Sequence, residues 1–208
     1  MLSPCQMVFV GRNYVEHAKE MGNIVPNEPL LFLKPISSII RDGEAIVLHR
    51  ASSHIELEGE IGLVIGQRLR RATAAEALKA LTHVVAINDV SARDLQKVDG
   101  QWARAKGMDT FCPIGLPAPV PMDLSSMTIV SSINGVECQR GSARDMVFSI
   151  PTLLAYISQY ITLEEGAVVS TGTPAGVTKL SPGDVVTVEL FGPSGLLSRV
   201  SNPCVADT

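Results

Sequence analysis

Residues 58–66, with the sequence EGEIGLVIG, combine an apolar run with two acidic side chains. A short run of this kind, rich in Ile and Val and ending at Gly, is typical of a buried β-strand. Side chains alternate between the two faces of a strand, so Glu58 and Glu60 project from the same face. Two carboxylates that converge beside apolar residues repel each other and lose hydration unless a cation lies between them.

A third carboxylate, Asp89, ends the next apolar segment and can reach the same point. Three carboxylates, with positions left open for water or substrate, suit a hard cation such as Mg²⁺, Mn²⁺ or Ca²⁺. Surface strands often carry acidic residues at every second position, so Glu56, Glu58 and Glu60 also fit the solvated face of an edge strand. Because Glu56 has the same parity, the spacing leaves open which two glutamates bind the cation.

The rest of the chain predicts a mostly β structure of the α+β class. Helices are predicted from about residue 15 to 21, over 73–81 and over 150–160, and Thr73 and Glu76 have the spacing of a capping box. Asn134-Gly135 predicts a hairpin turn. Strands and helices do not alternate regularly, which argues against a doubly wound fold. Further strands are predicted at residues 7–10, 84–87, 127–134, 168–170 and 185–190.

Charge and hydropathy argue against several classes of function. The net charge is −4 with no basic stripe, which argues against a nucleic-acid partner. No apolar run reaches the roughly 18 residues of a membrane span, and the N-terminus lacks a signal-peptide pattern, so we expect a cytoplasmic protein. Free thiols are expected because no Cys-x-x-Cys pair occurs among Cys5, Cys112, Cys138 and Cys204.

Several short motifs occur together and in order along the chain. They are GRNY at 11–14 with His17 and Glu20, LFLKP at 31–35, EGEI at 58–61, NDVSARDLQ at 88–96, Trp102 with AKG at 105–107, NG at 134–135, TGTP at 171–174 and PGD at 182–184. This ordered set closely resembles the catalytic domain of the fumarylacetoacetate hydrolase family, over about residues 8–200. In pattern the chain is most similar to the short, stand-alone acylpyruvases and oxaloacetate-handling members. Gly166-Ala167 departs from the Gly-Asp that members often carry before the TGTP strand, which affects a turn rather than the catalytic residues.

The resemblance implies a fold, an assembly and a metal site. The fold is a compact β-roll with a few short helices, forming a single catalytic domain over residues 1–208, usually in a homodimer. The family's metal ligands match Glu58, Glu60 and Asp89, which would bind Mg²⁺ or a related cation. On this match Glu56 lies outside the ligand set.

The resemblance also assigns catalytic residues. The family's His-x-x-Glu pair matches His17 and Glu20, which face the same way on a helix, so that Glu20 can support a positive charge on the imidazole of a general base. The alternative is an exposed helical His beside a Glu. Lys106 matches the active-site lysine, a partner for a substrate carboxylate or a developing oxyanion, although a Lys taken alone is nearly always a solvated surface charge.

Three more residues match motif positions near the substrate, namely Arg12, Gln96 and Thr173. The hydroxyl of Thr173 and the backbone N–H groups of its Gly-rich turn can hold an anionic end of the substrate. This turn is not a P-loop, because no Gly-Lys-Ser/Thr follows it.

These residues suit reactions of a small 2-keto acid that forms an enolate. We predict hydrolysis of a C–C bond of an acylpyruvate, a 2,4-diketo acid, in which His17 activates a water and pyruvate leaves as an enolate held by the metal. Oxaloacetate decarboxylation or tautomerisation, and isomerisation or hydration of a 2-hydroxy-dienedioate, use the same enolate and stay open. A protein that merely held a cation would need the three carboxylates but not His17, Glu20 and Lys106. An enzyme without a metal would not need the paired strand glutamates.

Overall fold

The computed structural model describes residues 2–22 and 24–207. Over these residues strands predominate, with five short helices, and the predicted mostly β, α+β class is confirmed. The helices are Val15–Glu20 (α1), Ala74–Ala80 (α2), Arg93–Asp99 (α3), Ala103–Lys106 (α4) and Ile150–Tyr160 (α5). The strands are Met7–Gly11 (β1), Leu30–Leu33 (β2), Ile39–Ile40 (β3), Ile46–Leu48 (β4), Ile55–Leu57 (β5), Gly59–Ile65 (β6), Leu81–Asn88 (β7), Ser91–Ala92 (β8), Cys112–Pro113 (β9), Ala118–Pro119 (β10), Thr128–Ile133 (β11), Val136–Ser142 (β12), Val168–Ser170 (β13), Thr178–Lys179 (β14), Val185–Gly192 (β15) and Gly195–Ala206 (β16).

Two sheets carry most of the strands. The larger has six strands in the order β10-β7-β6-β13-β1-β2, and the second has five in the order β12-β11-β15-β16-β4. Strands β6 and β7 of the first sheet contact β11, β15 and β16 of the second. The aliphatic side chains of Ile61, Leu63, Ile129, Val188 and Leu190 are fully buried in the main core. Each such side chain contributes roughly 1.5–3 kcal/mol through burial.

The six-stranded sheet is covered on both faces. A second buried cluster, which includes Phe9, Val64, Val85 and Ile87, lies apart from the main core and continues into Ile114. A strand buried on both faces carries a continuous apolar run rather than an alternating one. This explains why residues 61–65 are almost entirely apolar and why Glu60 lies in a dry environment.

The local signals in the sequence are confirmed. The Thr73 hydroxyl accepts from the Glu76 N–H at 3.3 Å and Glu76 accepts from the Thr73 N–H at 2.8 Å, which completes the capping box of α2. Asn134 and Gly135 both have positive φ, as a two-residue hairpin turn requires, and they join β11 to β12. The four cysteines are free. Among the described residues, no helix is long and apolar enough to cross a membrane.

The predicted strand over residues 58–66 is interrupted at its first residue. The Glu58 N–H donates to the Asn88 side chain at 3.0 Å, and the Gly59 N–H donates to the Gln139 side chain at 2.9 Å. These hydrogen bonds to side chains replace the backbone hydrogen bonds that would pair a continuous strand. The chain therefore forms two strands here: β5 belongs to a small three-stranded sheet, and β6 belongs to the six-stranded sheet. The interpretation of the glutamates as a solvated edge is wrong, because Glu58 is 4% exposed and Glu60 is 1% exposed.

Candidate active site

The break between β5 and β6 brings three carboxylates together. Strands β6 and β7 are antiparallel with Gly59 opposite Asn88, so Asp89 follows β7 directly beside Glu58. The Asp89 N–H donates to the Glu58 carbonyl at 2.8 Å, which fixes the two ends against each other. One carboxylate oxygen from each of Glu58, Glu60 and Asp89 lies within 4.8 Å of the others.

Each of these carboxylates has one oxygen held by a group other than Lys106. Glu60 Oε2 accepts from the Ser170 hydroxyl at 2.5 Å and from the Gly172 N–H at 2.9 Å. Asp89 Oδ1 accepts from Lys34 Nζ at 2.6 Å. Glu58 Oε1 accepts from Arg93 Nη2. These bonds set the orientation of each carboxylate.

Lys106 lies between two of the three carboxylates. Its Nζ donates to Glu58 Oε2 at 2.8 Å, to Asp89 Oδ2 at 2.5 Å and to the Ser91 hydroxyl at 2.7 Å. The side chain is buried, so the interpretation of a solvated surface lysine is wrong. Burial lowers the pKa of Lys106, but the charges of Asp89 and Glu58 outweigh it and raise the pKa above its usual value. The lysine is therefore a cation held within the acidic cluster.

The two strand glutamates differ in their ease of ionisation. Burial opposes ionisation of Glu58, but the charges of Arg93 and Lys106 lower its pKa below the usual range. For Glu60, burial and the charges of Asp89 and Glu58 raise the pKa well above the usual range. Glu58 therefore has its own counter-charges, whereas the hydrogen-bond donors to Glu60 among the described residues, Ser170 and Gly172, are uncharged.

The donor set fits a hard divalent cation. It consists of carboxylate oxygens alone, with no His or Cys among the three residues, and such ligands favour Mg²⁺, Mn²⁺ or Ca²⁺ over zinc. The groups that donate to the held oxygens would be the outer hydrogen-bond partners that orient metal ligands. A cation at this point would also provide the positive charge that Glu60 lacks.

His17 and Glu20 form a pair at the same end of the molecule. His17 Nδ1 lies 3.3 Å from Glu20 Oε2, and the Glu20 carboxylate also accepts from the Gly176 N–H at 3.0 Å. A carboxylate oxygen accepts hydrogen bonds, so the hydrogen of this contact belongs to Nδ1, and Nε2 has no hydrogen-bond partner among the described residues. His17 is only 6% exposed, so the interpretation of an exposed helical histidine is wrong.

A cavity of about 210 Å³ joins these groups. Its wall includes Phe32 and Trp102, whose rings meet edge to face at a centroid distance of 5.2 Å. Lys97 lies on its more exposed side. Of the nine predicted site residues only Glu20 does not line the cavity, and it contacts His17 instead; the lining residues are Arg12, His17, Glu58, Glu60, Asp89, Gln96, Lys106 and Thr173.

The structure changes the predicted role of one hydroxyl. Thr173 Oγ1 donates to the Gly59 carbonyl at 2.9 Å and accepts from Gln139 Nε2 at 2.8 Å. A hydroxyl has a single hydrogen to donate, so this group is not free to donate to a substrate anion. The N–H groups of Gly172 and Gly176 already donate to Glu60 and Glu20, so within the TGTP turn only the N–H of Thr173 is left for that role.

Comparison with known proteins places these motifs in a family. Residues 6–201 match the family model described as the C-terminal domain of fumarylacetoacetate (FAA) hydrolase. The chain belongs to the fumarylacetoacetate hydrolase family. The match spans every element that contributes to the candidate active site, from β1 to the middle of the last strand.

Several relatives within the family have named activities. The chain is 42% identical to a mitochondrial oxaloacetate tautomerase of Caenorhabditis elegans, over 87% of each chain. It is 39% identical to a mitochondrial oxaloacetate decarboxylase of Dictyostelium discoideum, over 90% of this chain and 89% of the relative. Among solved structures, a 5-carboxymethyl-2-hydroxymuconate delta-isomerase from Mycobacterium smegmatis superposes with a TM-score of 0.90 at 37% identity, over 100% of this chain and 81% of that one.

Sequence reasoning missed several residues that shape the family's site in this chain. Arg93 bonds Glu56 Oε2 at 2.5 Å and Gln96 Oε1 at 2.8 Å, in addition to Glu58. Glu56 also contacts His54 and is not among the three carboxylates that converge. Arg93 and Lys34 both lie inside the family motifs, and for Lys34 the available signal was a charged residue directly after the apolar run at 31–33. Gln139 lies in a strand of ordinary composition and gave no signal.

Proposed function

We propose that this chain is a metal-dependent enzyme that forms the enolate of a small 2-oxo acid, with a 2-oxo dicarboxylate such as oxaloacetate as its substrate. The observation that carries the substrate class is the charge of the cavity. Three acidic side chains line it beside four basic ones, which are Arg12, Arg93, Lys97 and Lys106. With the two charges of a divalent cation the excess is three positive charges, which attracts a dianion more strongly than a monoanion.

Glu58, Glu60 and Asp89 would hold the divalent cation, for which Mg²⁺ is the first choice and Mn²⁺ or Ca²⁺ the alternatives. A bound cation would supply a Lewis acid that polarises the 2-oxo group of the substrate. Lys106 lies beside the same carboxylates and would neutralise charge that develops on the substrate oxygen.

His17 would act as the general base. Its free Nε2 would accept a proton from C3 of oxaloacetate, and Glu20 would stabilise the resulting imidazolium through Nδ1. In tautomerisation the C3–H bond breaks and the 2-oxo oxygen gains a proton. In decarboxylation the C3–C4 bond breaks instead, CO₂ leaves, its bonding electrons stay on C3, and a proton delivered to C3 gives pyruvate.

The relatives support this class of substrate. One is named as an oxaloacetate tautomerase and another as an oxaloacetate decarboxylase, and both match this chain over most of their length. Oxaloacetate is a 2-oxo dicarboxylate, as the charge of the cavity favours.

A second candidate is hydrolysis of an acylpyruvate, which the His17–Glu20 pair favours. A histidine supported by a carboxylate can activate a water molecule as readily as it removes a carbon-bound proton. The water would add to the distal carbonyl, the C–C bond would break, and pyruvate would form after protonation of its enolate.

Parallel assays of oxaloacetate and acetylpyruvate distinguish these candidates. Mg²⁺-loaded protein would be given each substrate, and ultraviolet absorbance of the enol and release of pyruvate would be followed. We expect kcat/KM for oxaloacetate to exceed that for acetylpyruvate at least about tenfold, equivalent to ~1.4 kcal/mol. Lys97→Met should lower the ratio of kcat/KM for oxaloacetate to kcat/KM for acetylpyruvate. Lys97 is one of the positive charges that line the cavity and favour a dianion, and it lies on the exposed side. Faster cleavage of acetylpyruvate would instead establish the hydrolase.

We also propose that the chain forms a homodimer, as the family resemblance implies. Exposed apolar side chains such as Leu33, Ile36 and Leu116 are consistent with surfaces that pack against another chain. Size-exclusion chromatography with light scattering gives the mass directly, and a monomer at micromolar concentration would refute this assembly.

A further inference from the structure

A second buried lysine lies on the far side of Asp89 from Lys106. The Lys34 side chain is completely buried, and its Nζ donates to Asp89 Oδ1 at 2.6 Å. The same Nζ donates to the backbone carbonyls of Phe111 at 2.6 Å and Val90 at 3.3 Å. An ammonium group has three hydrogens, and all three of them are used.

The position of Lys34 separates it from the cavity in which we propose that the reaction takes place. It is absent from the lining of the cavity, whereas Lys106 is part of that lining. Both lysines have three hydrogen bonds to protein groups, so their position, and not a spare hydrogen, distinguishes them. Two different lysines therefore contact the two oxygens of one carboxylate, and of the two only Lys106 borders the cavity.

The backbone conformation at Lys34 is restricted by its place in the chain. It follows the last residue of β2 and precedes Pro35, and the residue before a proline is restricted to an extended conformation. Its ammonium lies 5.4 Å from the centre of the Phe9 ring. Two carbonyls, one aromatic ring and one carboxylate thus surround the charge, which holds it in a single place.

We propose that Lys34 is the positioning residue for Asp89, and that it holds Oδ1 so that Oδ2 alone faces the divalent cation. This inference rests on the metal site of the proposed function. A ligand carboxylate that must offer one particular oxygen binds more tightly when its other oxygen is fixed in advance, and loss of such an outer partner costs about 10–100-fold in metal affinity.

Two effects of removing Lys34 have opposite signs, which makes the proposal testable. As a positive charge near the site, Lys34 repels a divalent cation, so its removal would strengthen metal binding if only charge mattered. As a positioning residue it stabilises the binding geometry of Asp89, so its removal would weaken metal binding. The direction of the change decides between the two.

The experiment is a titration of Mn²⁺ followed by electron paramagnetic resonance, with folding monitored by circular dichroism. We expect Lys34→Met to bind Mn²⁺ about tenfold or more weakly than the wild type. Leu153→Ala, which destabilises a buried position of α5 away from the site, is the control and should retain wild-type affinity. In an Asp89→Asn background the effect of Lys34→Met should disappear, because the carboxylate that it orients is gone.

Should Lys34→Met fail to fold, Lys34→Arg keeps a charge opposite Asp89 but not the geometry of the ammonium group, and we expect it to bind Mn²⁺ at least several-fold more weakly. Equal or tighter binding in a folded Lys34 variant would overturn the positioning role. An equal loss in the Asp89→Asn background would also overturn it. If the wild type itself binds no Mn²⁺, Mg²⁺ or Ca²⁺, the metal site of the proposed function fails first, and the two failures are thereby distinguished.

Discussion

His17 is buried against a carboxylate at the edge of the cavity, with one ring nitrogen engaged and the other free. We expect His17→Ala to lower kcat/KM for oxaloacetate by about 10²–10⁴-fold, the usual contribution of a general base. Its Mn²⁺ affinity should be unchanged, because His17 is not among the three carboxylate ligands. His49→Ala, at a half-exposed histidine that does not line the cavity, is the control. Full activity of His17→Ala would remove the proposed base.

Gln139 is a single buried side chain that joins the strand carrying the carboxylates to the Gly-rich turn. Its amide bonds Gly59 N–H, Thr173 Oγ1 and the Pro174 carbonyl. Gln139→Leu leaves buried polar groups without partners, so we expect the free energy of unfolding to fall by roughly 2–4 kcal/mol and KM to rise. Urea denaturation measures the first quantity. Gln159→Leu, whose amide makes two long bonds away from the site, should cost less than ~1 kcal/mol, and equal losses in both variants would refute the special role of Gln139.

At the scale of elements, the close approach of β6 to β11 depends on a residue without a side chain. A Cβ added to Gly59 would lie 1.9 Å from Ser131 Oγ. We expect Gly59→Ala to cost about 1–3 kcal/mol or more through overpacking and to weaken metal binding, since it displaces Glu58 and Glu60. Ser131 Oγ has no hydrogen-bond partner among the described residues, so Ser131→Ala should cost little and should relieve part of the clash.

Urea denaturation of the wild type, both single variants and the double variant forms a cycle that measures this coupling. We expect Gly59→Ala to lower the free energy of unfolding less in the Ser131→Ala background than in the wild type. Purely additive effects would mean that the strands do not approach each other as the structure describes.

Elements governed by local chemistry were predictable from the sequence. Helix α5 was predicted with its observed bounds, and the capping box and the Asn134-Gly135 turn followed from residues close together in the chain. The break at Glu58 was not predictable, because its cause is a pair of bonds to side chains 30 and 80 residues away. Family motifs indicated the site residues, whereas the partners that orient them, such as Gln139, depend on tertiary contacts that a single sequence does not contain.

At the scale of the whole molecule, a group of buried charges lies in the interior of a small protein. A ligand that binds only the folded state at 100 times its Kd adds about 2.7 kcal/mol to the free energy of unfolding. For a chain of this size we expect Mg²⁺ at that concentration to raise Tm by roughly 5–10 °C. Differential scanning calorimetry checks this, with NaCl of equal ionic strength as the control and Glu60→Gln as a variant whose shift should shrink. No shift with Mg²⁺, Mn²⁺ or Ca²⁺ would contradict the metal site.

On the proposed function, this chain forms the enolate of a 2-oxo dicarboxylate only with a divalent cation bound. The most direct measurement strips the protein with a chelator and follows the ultraviolet absorbance of oxaloacetate enol, with and without added Mg²⁺ and against Mg²⁺ alone. We expect the stripped protein to change the enol absorbance of oxaloacetate only at the background rate. When protein and Mg²⁺ are combined, we expect the rate to rise well above that of the stripped protein and that of Mg²⁺ alone. Equal acceleration by the stripped protein would contradict the proposed function.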